Sequence, residues 1–349
     1  MWRLRALLVC LAFPSGAEVV VFPAPDGGER ELVVYSSLDS PLARPLVEAF
    51  QRQRPDVTVR YEDLLTGEIA ERVVQETDAG GKPTADLVFS SAMDVTVKLA
   101  NDGYAREADV PGAAAWPDWA AWRSMVFALT FEPGVIVYHR PSFPDGPPDT
   151  RAALIDWLET APKGQIGTYD IARSAVGYLY LMRDQEHFAD LWPLVRAMGR
   201  AGVQTFPTSQ DVIDGVNSGQ LKLGYNVLGS YAADQASRLP DIGLVLPRDY
   251  VVVISRVALV PRAAANPDLG EAFLEFLMSR EGQTVLAERL RLPAVSLEVR
   301  GKDSAAAMQE ALGAKLRPVA VSPGLLAYLD AASRARVLAE WNAALEGGE

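Results

Sequence analysis

At 349 residues the chain is long enough for two domains of ordinary size. Apolar residues at 49% and charged residues at 22% are the shares of a folded protein with a sizeable core. A formal charge of −12 excludes a general nucleic-acid surface or an anionic-membrane patch, both of which call for basic residues, but not a locally positive pocket.

Arg3 and Arg5 precede the apolar run of residues 6–13, and Ser15-Gly16-Ala17 offers a small-residue cleavage site. Residues 1–17 are therefore expected to be a secretory signal peptide, giving a periplasmic product. Cys10, the one cysteine, lies within it, so the mature chain would have neither a disulfide nor thiol chemistry. Leu8-Val9-Cys10 hints at lipidation, although Val9 stands where a small residue is expected. No later apolar run approaches the ~20 residues of a membrane helix.

Residues 18–30 hold Pro23, Pro25, Gly27 and Gly28 and read as a loose lead-in. Residues 32–35 form a short apolar strand that ends in Ser36-Ser37-Leu38-Asp39-Ser40. Pro41 and Pro45 fit the first turn of a helix whose apolar face is Leu46, Val47 and Phe50. Val57, Val59 and Tyr61 alternate as a strand, and Thr66 is placed to cap a helix carrying Ile69, Val73 and Val74. A third strand, 85–89, ends in Ser90-Ser91 before a helix at 95–101. Three strand-then-helix units in succession imply a parallel sheet flanked by helices. Each strand end carries hydroxyls next to a helix N-terminus, where free N–H groups favour an anion.

Trp116, Trp119 and Trp122 are expected to pack a connector. Strands at 126–130 and 135–138, separated by Glu132-Pro133-Gly134, read as a first crossing between lobes. A second α/β segment follows. Its strand at 165–168 leads into Tyr169-Asp170-Ile171-Ala172-Arg173-Ser174, which offers a cation, a carboxylate and hydroxyls beside a helix start. Thr208 or Ser209 caps a helix that Gly219 closes. Leu221, Leu223 and Tyr225 alternate as a strand that breaks into the polar stretch Asn226–Tyr231, the kind of strand end at which open α/β sheets bind ligands. The apolar run 250–260, interrupted by Ser255-Arg256, reads as the return crossing. Helices starting at Asn266-Pro267-Asp268 and Glu281 follow, then a largely helical tail.

Two histidines, His139 and His187, are too few for most His-based catalysis or a multi-His metal site, and no phosphate-loop, dinucleotide or nucleophile-elbow motif occurs. No cofactor is expected. Asp39, Asp94 and Asp170 leave carboxylate-pair hydrolysis of small phosphate esters as an alternative, but nothing local pairs them. The expectation is a binding protein, not an enzyme.

Residues 32–37, 85–91 and 132–138, with Gly224–Tyr231, Asn266-Pro267-Asp268, residues 273–277 and Glu281-Gly282-Gln283, resemble the extracellular solute-binding proteins of bacterial ABC importers. The likeness is to the ferric-iron-binding type and its relatives for phosphorylated or phosphonate compounds. It implies an α/β, two-lobed periplasmic binding protein (type II) fold, each lobe a mixed sheet flanked by helices, joined by crossover strands. The expected division is 1–17 signal; 31–131 plus 254–300 as lobe 1; 132–253 as lobe 2; and 301–349 as C-terminal helices packing on the lobes. It further implies a monomer that closes on its ligand and delivers it to an inner-membrane permease, or alternatively presents it to a sensor kinase.

The first loop lacks the His of the ferric pattern, and Tyr225 and Tyr231 are six apart rather than adjacent. Serines and backbone amides suit a small organic anion better than iron, which wants hard anionic oxygens; ferric-iron binding stands as the alternative. The expected ligand-binding residues are Ser36, Ser37, Thr66, Gly67, Ser90 and Ser91 from the first lobe. The second supplies Thr168, Tyr169, Arg173, Ser174, Asn226, Ser230 and Tyr231.

Overall fold

The computed structural model describes residues 18–80, 84–301 and 304–346. The signal expected over residues 1–17, Cys10 included, lies outside the described residues. The chain begins β1 (Glu18–Phe22), β2 (Arg30–Ser36), α1 (Ser40–Gln53), β3 (Val57–Asp63), α2 (Thr66–Ala79), β4 (Leu87–Ser90) and α3 (Met93–Asn101). After β5 (Ala121–Trp122), β6 (Val126–Ala128) and β7 (Glu132–His139) come α4 (Arg151–Leu158), β8 (Ile166–Tyr169), α5 (Ala175–His187) and α6 (Leu191–Arg200). Next are β9 (Gln204–Phe206), α7 (Ser209–Asn217), β10 (Leu223–Leu228), α8 (Gly229–Arg238), β11 (Ile242–Val245), β12 (Val251–Ile254) and β13 (Val257–Leu259). The rest is α9 (Pro267–Met278), α10 (Arg280–Arg289), α11 (Ala305–Leu312), β14 (Leu316–Pro318) and α12 (Ala331–Glu346).

Among the described residues the strands form two seven-stranded sheets. The first runs β1-β3-β2-β4-β13-β6-β5, with β2 parallel to both β3 and β4. The second runs β14-β12-β7-β10-β8-β9, with β11 also on β7. The chain leaves the first sheet between β6 and β7 and returns between β12 and β13. Both sheets are mixed and flanked by helices, as the α/β expectation requires.

Period-two alternation sorts each strand's side chains to opposite faces. Leu32 and Val34 of β2 join Leu46, Val47 and Phe50 of α1, where Phe50 meets Phe273 of α9 at a ring distance of 4.8 Å. Tyr35 turns the other way, toward Ile69, Val73 and Met93 of α2 and α3. In the second sheet Ile136 and Tyr225 face α4 and α6, while Val135, Val137 and Val227 face α7. Polar side chains cap the helices as their positions suggest: Thr150 accepts from Ala153 N–H, Ser174 from Gly177 and Thr208 from Asp211.

Several local expectations are corrected. Residues 18–22 are not a loose lead-in but an edge strand, antiparallel to β3, because Val19-Val20-Val21 outweighs the later Pro and Gly. Thr66 is the first helical residue rather than the cap, and Leu65 N–H is satisfied by Glu68 Oε2 at 3.1 Å. Pro45 sits inside α1, where its missing N–H sacrifices one bond near the helix start. Glu132-Pro133-Gly134 opens β7 instead of separating two strands. The tail read as helical also contributes β14, parallel to β12.

The largest local difference lies at Asn226. The strand does not break there but continues to Leu228, and α8 starts at Gly229 without a loop. Tyr225 and Asn226 together oppose Ile136 of β7, a bulge that puts Asn226 at φ 57°. Asn tolerates this left-handed conformation better than most residues.

Gly270 shows how tightly α9 is seated. A Cβ there would run into the Asp86 carbonyl of the segment leading into β4. Gly270→Ala is therefore expected to lower stability by about 1–3 kcal/mol, read as a lower urea midpoint at unchanged slope. A midpoint equal to the wild type would mean that the helix shifts without cost.

Candidate functional site

The ends of β2, β3 and β4 in one sheet and the starts of α5 and α7 in the other, with Tyr231 of α8, face a common cavity of about 450 Å³. Among the residues expected from sequence, Ser37, Thr66, Gly67, Ser91, Tyr169, Arg173, Ser174 and Tyr231 line it. Three helix N-termini open into it: α2 through Thr66 and Gly67, α5 through Ala175 and Val176, and α7 through Ser209 and Gln210. First-turn N–H groups have no intrahelical acceptor, so each terminus presents donors and the positive end of its dipole.

Ser36, Ser90, Thr168, Asn226 and Ser230 do not line this cavity; each is spent inside the fold. Ser36 Oγ donates to Phe89 O at 2.8 Å and accepts from Leu38 N–H, and Ser90 Oγ accepts from Ala92 N–H. Each closes its own strand end, and the following residue, Ser37 or Ser91, turns outward. Thr168 donates to the Tyr225 carbonyl at 3.1 Å, and Asn226 donates to Asp184 at 2.7 Å. Ser230 donates to Glu132. The tryptophans pack rather than line the cavity. Trp116 donates to Ala128 O at 2.8 Å, Trp119 meets Phe131 edge-on, and Trp122 lies under Arg123.

Arg256 also lines the cavity, and its role was missed from sequence. It is 1% exposed and sits between β12 and β13. Its Nη1 donates to Ser37 O at 3.1 Å, its backbone N–H donates to Thr130 Oγ1 at 2.7 Å, and its Nε lies 3.4 Å from Glu132 Oε1. A charged residue in the middle of an apolar crossing was itself a signal, since Arg is almost never fully buried without a partner or a task. Ser37, Arg256's acceptor, in turn holds Ser91, whose N–H donates to Ser37 Oγ at 3.1 Å.

Carboxylates share the wall: Asp39, Asp63, Glu68 and Glu71. Asp63 is pushed up to about 6, first by burial and then by the charges of Asp39 and Glu18, against Ser40 N–H and Arg256, which pull it down. Burial pushes the Tyr169 phenol up to about 12 and raises Tyr231 further, so both stay protonated at neutral pH. Among the described residues no three His, Cys, Asp or Glu side chains cluster as a metal-binding group.

The Asp63 shift has a measurable sign. The unfolded chain releases this proton near 3.8, and the folded protein keeps it until about 6. The folded state therefore binds more protons across that window, and stability falls as pH rises through it. Asp94, buried in α3 and also raised to about 6 by burial, acts in the same direction. Asp63→Asn removes the Asp63 contribution. The melting temperature is expected to fall less steeply across this pH range than in the wild type; an equal slope would contradict it.

Residues 45–312 match the family model described as bacterial extracellular solute-binding protein. The substrate-binding protein of an ABC transporter from Agrobacterium tumefaciens is 57% identical, with a TM-score of 0.91 over 95% of this chain and all of that one. AfuA from Actinobacillus pleuropneumoniae, solved with fructose-6-phosphate, shares 14% identity and a TM-score of 0.75 over 92% of this chain and all of its own. Apo ferric ion-binding protein A from Pasteurella haemolytica shares 15% and 0.71 over 89% and 98%. These two share the fold alone. No curated protein matches the chain. With the family model spanning most of its length and a relative this similar, the chain belongs to the bacterial extracellular solute-binding proteins.

Proposed function

We propose that the chain is the periplasmic capture subunit of an ABC importer, holding a small phosphorylated or phosphonate organic anion between its two sheets and delivering it to a membrane permease. One observation carries the ligand class: three helix N-termini, a ring of hydroxyls and the two cations Arg173 and Arg256 meet in one cavity of about 450 Å³. The first lobe offers Ser37, Thr66, Gly67 and Ser91 to the ligand's oxygens, and the second offers Tyr169, Arg173, Ser174 and Tyr231. Asp39, Glu68 and Glu71 accept from hydroxyl or amino groups on the rest of the ligand, so a bare inorganic anion leaves them unmatched. The 57% identical protein, described as serving an ABC transporter, supports the transport role. Closure follows to the extent that the ligand binds the closed arrangement better than the open one. The ligand is held, not transformed, and no cofactor takes part.

Native mass spectrometry of protein purified from the periplasm of its own cells tests this. The expected result is added mass equal to one small organic phosphate or phosphonate, lost on dialysis. Added mass equal to one iron ion would overturn the anion assignment in favour of ferric iron.

A further inference from the structure

Glu132 opens β7 on the outbound crossing, and Arg256 lies on the return crossing. Both are essentially out of solvent. A guanidinium taken out of water needs its charge matched, and Glu132 is the carboxylate that does so, with Oε1 3.4 Å from Nε. Glu132 is itself fixed from two sides. Thr130 Oγ1 donates to its Oε1 at 2.7 Å, and Ser230, in the first turn of α8, donates to its Oε2. The same Thr130 oxygen accepts the Arg256 backbone N–H. At the far edge of the fork, Nη1 holds the Ser37 carbonyl and lies 3.4 Å from Ser37 Oγ. One guanidinium thus spans a strand-end loop of the first sheet, both crossings and the start of α8 in the second. Its Nε is buried beside a carboxylate without a formed hydrogen bond.

We propose that Glu132 is a positioning residue for ligand capture, aiming the Arg256 guanidinium into the cavity and locking the two crossing strands into one joint that an anion loads; this role rests on the anion-binding function proposed above. The ligand's anionic oxygen meets the guanidinium where Arg256 lines the cavity, while Nε stays sealed against Glu132. Glu132 holds the plane of the fork so that Nη1 stays on Ser37 while the ligand is engaged. A planar fork is essential to this arrangement, and a lysine ammonium cannot reach Ser37, Glu132 and ligand at once.

The test is calorimetry of the full-length mature protein with fructose 6-phosphate and with inorganic phosphate. Alongside it runs the ¹⁵N NMR signal of the Arg256 Nε–H, assigned by its loss in Arg256→Lys. In the wild type that signal is expected to move on adding fructose 6-phosphate. In Glu132→Gln the affinity is expected to drop by more than about tenfold and the signal to stop responding. Arg256→Lys is expected not to rescue binding. Ser230→Ala removes one bond to Glu132 and keeps the test decisive if Glu132→Gln does not fold; it is expected to weaken binding about threefold. Wild-type affinity with an unchanged NMR response in Glu132→Gln or Ser230→Ala overturns the proposed role and leaves the anion site standing. A wild-type protein that binds neither probe nor any phosphonate overturns the anion site, and this role with it.

Discussion

Asp184→Ala is expected to destabilise the protein by about 3–5 kcal/mol, the largest stability loss anticipated from a single substitution outside the cavity. Asp184 lies on α5 with no exposed surface and accepts four hydrogen bonds. Arg151 Nη2 and Tyr250 Oη reach Oδ1 at 2.9 and 2.7 Å, and Tyr225 Oη and Asn226 Nδ2 reach Oδ2 at 2.7 Å each. Removing the carboxylate leaves Arg151, 1% exposed, with only the partly exposed Asp249 as a counter-charge. Three neutral donors lose their acceptor as well. It also frees Asn226, whose left-handed backbone is held by that side-chain bond. Asp184→Asn should cost less, because it keeps the shape and one acceptor while placing an NH₂ against donors. Urea unfolding measures both, and a loss below about 1 kcal/mol in the alanine variant would show that water replaces the carboxylate.

If the cavity takes the organic anion proposed above, Arg256→Ala is expected to weaken its binding by more than about a hundredfold, whereas Arg173→Ala weakens it by no more than about tenfold. The difference is one of solvent. Arg173 is exposed at the mouth, where water screens its charge. Arg256 is buried on the floor, where its charge acts through a poorly polarisable surround and where its loss strands Glu132. Calorimetry of the two variants side by side decides the ranking; equal losses would mean that the anion sits at the mouth, against Arg173, rather than on the floor.

The frame of this fold is written locally. Alternation in Val57, Val59 and Tyr61 marks β3, and the change from period two to helical spacing after each strand end marks the parallel units. Ser37, Thr66, Ser91 and Ser174 were readable as cavity residues because they stand where a strand stops and a helix begins. Thr208 and Ser209 stand in the same position and were recognised only as a cap. What was not legible is which of two adjacent hydroxyls turns inward. Ser36 and Ser37 differ by one residue, but the first closes a turn against Phe89 and the second meets the cavity, and that choice depends on a neighbouring strand 53 residues away. Asn226 and Ser230 carry the right chemistry for a site, yet their partners, Asp184 and Glu132, come from elements 42 and 98 residues distant. Arg256 stands out as a cation within an apolar run, but the run does not show what that cation faces.

The first described strand, β1, edges one sheet, and the last described helix, α12, packs against α6 beside the other. Val19 and Asn342 are exposed on these two elements. A donor dye at one and an acceptor at the other would therefore ride on different halves of the molecule. Energy transfer between them would give a solution assay of cargo loading.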